Sequence, residues 1–177
     1  MGLFSRKKKE EKPEKAQPEK IKFDSPLGTF TYINNPGANE FGYEGYIQWY
    51  ADSVEDEITS AYIDTDSPES TQAGLCYARL EALFADRDRV EAEMTERIAD
   101  YFLAKPDMVS QGSSKRSIMD GLELYWLGIY RNGDTKFSYD DGVGLYACDI
   151  NVTVHADGSR EIEYRSNIDY EMHTDKM

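Results

Sequence analysis

The chain has 177 residues, enough for one domain with an ordinary core, and 40% of them are hydrophobic, so a body of this size can fold. Its formal net charge of −14 is uneven: the first 22 residues carry eight Lys/Arg against four Glu, and the remainder carry twelve against thirty Asp/Glu. So acidic a body repels nucleic-acid backbones and excludes duplex or RNA binding; no run approaches the ~20 apolar residues of a membrane span or forms a secretory leader, so a cytoplasmic location is expected.

Residues 1–21 are almost all Lys, Glu, Pro and Gln after Phe4 and cannot bury enough area to offset their ordering entropy. A disordered basic lead is predicted there. Leu3 and Phe4 beside the cations of residues 6–9 offer at most a weak membrane contact, and the myristoylation pattern fails at Arg6. A strand is predicted after the Ser25-Pro26-Leu27-Gly28 turn, with Phe30 and Tyr32 on one face. Asn34-Asn35-Pro36-Gly37 is a turn. Residues 41–50 then alternate, with Phe41, Tyr43, Gly45, Ile47 and Trp49 on one face and Tyr46 and Tyr50 on the other. An acidic turn at 52–57 leads to a third strand at 58–64, which completes an antiparallel meander.

The middle of the chain changes period. Ser67 is the predicted N-cap of a helix, with Pro68 at its first position and Glu69 in its first turn. Leu75, Ala78, Leu83 and Phe84 fall near helical spacing. Asp86-Arg87-Asp88 leaves open whether that helix continues or a second one starts. Val90, Met94, Ile98, Tyr101 and Phe102 form an apolar stripe, and Lys105-Pro106 ends it. A polar loop follows, with one helical turn at 117–121.

The last third returns to period two. Leu122, Leu124 and Trp126 are predicted on one face, and Tyr125, Leu127 and Ile129 on the other. Arg131-Asn132-Gly133-Asp134 is a hairpin turn, 137–140 the return strand, and Asp140-Asp141-Gly142-Val143-Gly144 the next turn. Residues 146–155 place Cys148, Ile150, Val152 and Val154 inside and Asn151, Thr153 and His155 outside. After Ala156-Asp157-Gly158, a final strand turns Ile162, Tyr164 and Ile168 inward and Glu161, Glu163 and Arg165 outward. The expected fold is α+β: two antiparallel β-meanders flanking a central helical segment, with the helices packed on the sheet. Residues 22–170 form the single domain, and 171–177 are expected to fray.

Chemistry is sparse. There are two histidines, His155 beside a turn and His173 in the tail, and neither has an orienting partner in the sequence. Gly142-Val143-Gly144 lacks the third glycine and following helix of a dinucleotide loop, and no phosphate loop or His-Glu-x-x-His is present. Cys76 and Cys148 read as two small buried hydrophobes without ligand spacing. Neither a cofactor nor a metal is expected. The carboxylate groups Asp64, Asp66, Glu69 and Asp140, Asp141, Asp149 are acidic turns first; the second trio supports an alternative reading, a divalent-metal-dependent hydrolase. The aromatic side chains outnumber what one buried face needs, so some are expected to line a partner surface. The candidate binding residues are Trp49, Tyr125, Trp126, Tyr139 and Tyr146, with Asp140 and Asp141 at the acidic corner.

The order of segments over about 23–168 resembles the bacterial domain-of-unknown-function family 2262. Its carriers are Leu27-Gly28-Thr29-Phe30, Tyr46-Ile47-Gln48-Trp49, the helical middle and the strand 124–129. The most specific part is Phe137-Ser138-Tyr139-Asp140-Asp141-Gly142 followed by Leu145-Tyr146-Ala147-Cys148-Asp149-Ile150. The family tends to have an aromatic-Gly-His-x-Ile run there, and this chain has Ala147 and Cys148 where the family has Gly and His. The resemblance implies a bacterial α+β domain and no established activity. With the acidic body, it leads to the expectation of a non-catalytic protein-interaction module, immunity-type or regulatory, with a basic or neutral protein partner. A further alternative is a peripheral membrane adaptor acting through residues 3–9.

Overall fold

The computed structural model describes residues 20–35, 40–50, 58–140 and 144–177. Four strands come first: β1 (Lys22–Ser25), β2 (Gly28–Asn35), β3 (Glu40–Ile47) and β4 (Thr59–Asp64). Helices α1 (Thr71–Ala85), α2 (Arg87–Leu103) and α3 (Lys115–Met119) follow, with a 3₁₀ turn at Pro106–Met108. Strands β5 (Leu124–Ile129), β6 (Thr135–Tyr139), β7 (Ala147–Val154), β8 (Arg160–Ser166) and β9 (Met172–Lys176) complete the chain.

The class is α+β, but the two expected meanders are not separate units on either side of a helical segment. Among the described residues, the nine strands form one sheet in chain order. Every neighbouring pair is antiparallel except β4 and β5, which run parallel with Ser60 opposite Trp126 and Ile63 opposite Ile129. A parallel neighbour needs a long crossover, and the helical middle supplies it. The helices therefore join two half-sheets and cover the face common to both.

The helices start where side chains can satisfy free backbone donors. Ser70, three residues after the predicted cap, accepts from the Gln72 amide and opens α1. Ser67 and Pro68 are used elsewhere: Thr65 Oγ1 donates to the Ser67 carbonyl and Tyr43 OH to the Pro68 carbonyl. Asp86, at φ −115°, breaks the helical run, so α2 is a second helix. Its Val90, Met94, Ile98 and Phe102 are buried as the stripe predicts. Ser114 and Ser117 cap each other's backbone to start α3.

Strands β1 and β9 lie at the two edges of the sheet, and neither was expected. The tail predicted to fray is β9, paired with β8 from Glu161 opposite Lys176 to Arg165 opposite Met172. Its alternation is polar, so hydrophobic pattern does not reveal it. It is fastened from the helix side instead, where Lys105 Nζ lies 2.6 Å from Asp175 Oδ2 and Tyr101 OH also bonds that carboxylate. The lead predicted over 1–21 lies outside the described residues except for Lys20 and Ile21.

Two bulges correct the face assignments. A register shift between Leu124 and Trp126 leaves both Leu124 and Leu127 buried and turns Trp126 to the opposite face. A second shift lies between Cys148 and Asn151, with Asp149 at φ +51°. It keeps Ile150 and Val152 inside but sets Cys148 opposite the exposed Arg165. Ile168, expected inward, is 55% exposed beyond the end of β8.

Candidate binding surface

The register divides the sheet into two faces. Phe30, Tyr43, Ile63, Ile129, Phe137, Val152 and Ile162 point toward the helices and form the core with Leu80, Ile98 and Phe102. Glu44, Tyr46, Ser60, Tyr62, Trp126, Gly128, Lys136 and Glu163 alternate with them and point the other way. No described helix packs across that second face.

The helix-side face closes around a carboxylate. Glu91 of α2 accepts from Trp49 Nε1 at 3.0 Å, Tyr50 OH at 3.0 Å and Tyr139 OH at 3.3 Å. Tyr50 OH in turn accepts from the Leu124 amide at 2.6 Å. One side chain thus ties α2 to the end of β3, to β5 and to β6. Burial pushes the Glu91 carboxyl above its ordinary range, and the three donors oppose that shift. Burial likewise raises the Tyr139 phenol, with the Glu91 charge adding to it. A carboxyl pushed upward beside a hollow between α2 and α3 has the profile of an acid–base group. Both its oxygens already accept bonds from the three aromatic donors, so its geometry is that of a fastener.

The open face carries the same residue types in a different state. Tyr62 and Trp126 lie near-parallel, 18° between planes and 6.2 Å between centroids, and Tyr130 stands 6.0 Å from Tyr62. Glycine makes room for them. A Cβ on Gly128 would come within 2.3 Å of the Trp126 ring and 3.1 Å of the Tyr130 ring. One on Gly42 would meet the Tyr62 ring at 2.6 Å and the Ile63 carbonyl at 2.5 Å. The rings are thus laid over bare backbone, and Tyr62 is pinned by its hydroxyl donating to the Phe41 carbonyl at 3.0 Å. They line a hollow of about 420 Å³ with Ile33 and the carboxylates of Glu44 and Asp64.

Charge around the hollow is unequal. Asp64 holds Arg131 through its Nε at 2.9 Å and its backbone amide at 3.1 Å, and Asp66 adds a longer contact at 3.5 Å. The Asp64 carboxylate raises the Arg131 guanidinium further above its ordinary value, so it stays cationic. No described cation pairs with Glu44, which accepts one long bond from Ser60 Oγ at 3.5 Å. Farther along the face, Lys136 pairs with Glu163 at 3.6 Å and Arg165 with Asp149 at 3.4 Å. Tyr46, 61% exposed, stands beside Glu44 on the same face.

The expected site residues divide accordingly. Trp49 and Tyr139 are core residues, 2% and 0% exposed, whose polar atoms are directed to Glu91; they are unsuited to a binding surface. Trp126 is half-buried in the open-face hollow. Tyr125 is 46% exposed at the β5 bulge, its phenol raised by burial and by the Asp149 charge. Tyr146 is exposed at a distance in sequence from the hollow, its amide bonded to the Met108 carbonyl. Asp140 is exposed, and its amide donates to the Glu123 carbonyl. Asp141 lies outside the described residues, as do residues 3–9. Among the described residues, no group of three or more His, Cys, Asp or Glu is placed to hold a metal ion.

Sequence reasoning missed Glu44, Asp64, Tyr62 and the two glycines as parts of one site. One signal was present: Trp126, Gly128 and Tyr130 are spaced by two, so two rings flank a glycine on one face. Among the described residues no helix is long and apolar enough to cross a membrane. No known family model matches the chain, and neither a curated protein nor a solved structure matches it.

Proposed function

We propose that the protein is a non-catalytic protein-interaction module whose open sheet face docks a basic protein. The observation that carries this reading is the Tyr62–Trp126–Tyr130 hollow, set over Gly42 and Gly128 and bordered by Glu44 and Asp64. Partly exposed aromatic side chains on a rigid sheet bury area at low entropic cost, which favours contact with another protein. The acidic body steers a basic partner toward that face. An immunity-type or regulatory role is consistent with such a module, since both work by covering a partner's surface.

The test begins with affinity capture from the host, followed by calorimetry on the purified partner. Tyr46→Arg places a cation on the open face, and Ala82→Arg places one on the exposed side of α1. The expected result is loss of binding with Tyr46→Arg and binding as in wild type with Ala82→Arg. Retained binding in Tyr46→Arg, or loss only in Ala82→Arg, would contradict the assignment of this face.

A further inference from the structure

The geometry points to the Tyr62–Trp126–Tyr130 hollow as a cation site that receives an arginine side chain of the partner. This deepens the reading above by naming its anchor. A guanidinium is flat, weakly hydrated and attracted to the electron-rich face of Trp and Tyr rings. Tyr62 and Trp126 present near-parallel rings, 18° apart, which suits a planar cation better than a compact one. Their placement is built into the sheet: the bare Gly128 backbone gives the indole room to lie over it, and the Tyr62 hydroxyl is bonded to the Phe41 carbonyl. The entropic cost of ordering these rings is therefore met before the cation arrives.

The acceptor is identified by elimination among the carboxylates of the hollow. Asp64 already holds Arg131 through two donors. Glu44 has no cation within pairing distance among the described residues, and its one bond is a long one to Ser60 Oγ. On the β6–β8 part of the face, Lys136 and Glu163 are paired with each other, as are Arg165 and Asp149. Of the two carboxylates that line the hollow, Glu44 is thus the one without a paired cation among the described residues. A side chain stacked on Trp126 with its donors toward Glu44 gains both the ring contact and a charge-assisted hydrogen bond. The resident Arg131 is held at the rim by Asp64 and Asp66, and so shapes one wall.

The site is tested on the whole chain with n-butylguanidinium as probe and n-butylurea as its neutral, planar counterpart, by calorimetry and fluorescence at low salt. Expected are saturable binding of the guanidinium, at least tenfold weaker binding of the urea, and weakening with added salt. Glu44→Gln, an exposed substitution, is expected to weaken the guanidinium about tenfold while leaving the melting curve unchanged. Trp126→Ala is expected to abolish binding; if it unfolds, the Glu44→Gln result stands alone as the test. Equal affinity for guanidinium and urea, or full affinity in Glu44→Gln, would overturn the proposal. Because the probe is a small molecule, its failure removes the cation anchor and leaves the docking face to the partner experiment. Conversely, guanidinium binding with no effect of Tyr46→Arg on the partner would retain the site and remove the docking reading.

Discussion

The two faces of the sheet use the same vocabulary to opposite ends. On the helix side, one tryptophan, two tyrosines and a glutamate form a closed set: Trp49, Tyr50 and Tyr139 all direct a polar atom at Glu91. On the open side, one tryptophan, two tyrosines and a glutamate share a hollow, yet none of the rings bonds to the glutamate. The phenol of Tyr62 is directed to the Phe41 carbonyl, and among the described residues Glu44 has only a long contact with Ser60. The composition of the two groups is nearly the same; what differs is where their hydrogen bonds end. The closed group is a structural fastener; the open one is the group proposed above to bind a partner.

The largest expected effect comes from breaking the closed group. Glu91→Ala orphans the Trp49 indole and the Tyr139 hydroxyl, and it should cost about 3 kcal/mol in denaturant melts. Glu91→Gln keeps an acceptor and removes a charge that burial disfavours. Burial raises the folded-state Glu91 carboxyl above the ordinary glutamate value of 4.5. Its contribution is therefore fully present in acid and declines as pH rises through the raised value. Melts of the two proteins should show wild type losing ground to Glu91→Gln as pH rises above 4.5; a constant difference would remove the buried-carboxyl account.

Next in size is Gly42→Ala. Its Cβ would press the Ile63 carbonyl as well as the Tyr62 ring, so both the β3–β4 ladder and the hollow must give. A loss of about 2 kcal/mol is expected, with a changed Tyr62 ring environment in the NMR spectrum. Smaller still is Asp175→Asn at the β9 fastening. The Lys105 ammonium and the Tyr101 hydroxyl hold the Asp175 carboxyl below its usual value of 3.8. Its stabilisation is present above 3.8 and is lost as pH falls through the lowered value. The pair is partly solvated, so under about 1 kcal/mol is expected. Amide exchange confined to β9 should quicken in the variant. The smallest effect on stability belongs to Glu44→Gln, within about 0.5 kcal/mol, although it should weaken binding most for its size.

How much of this was legible depended on whether a pattern or a contact decided the outcome. The apolar stripe of α2 and the inward Phe30, Tyr43, Ile47 and Ile162 were readable because burial alone selects them. The single sheet was not readable, since nothing in residues 58–64 or 124–129 announces that those strands will pair in parallel. Strand β9 escaped because register and the Lys105–Asp175 contact hold it, not apolar alternation. The alternation of residues 122–129 puts Trp126 on the face of Leu122 and Leu124, and the bulge at Tyr125 reverses that placement. Trp49 and Tyr139 are binding candidates in the sequence yet core residues in the fold, because an aromatic side chain in a strand does not reveal whether a helix lies above it. Glu91, the centre of the closed group, looked like one carboxylate among many.

The chain has two tryptophans, one in each group, which makes the comparison directly measurable. The decisive spectrum records both indole N–H signals during titration with n-butylguanidinium. The expected result is a saturable shift of the Trp126 signal while the Trp49 signal, bonded to Glu91, stays in place. A silent Trp126, or a Trp49 that moves as far, would contradict the claim that the open face alone is built to bind.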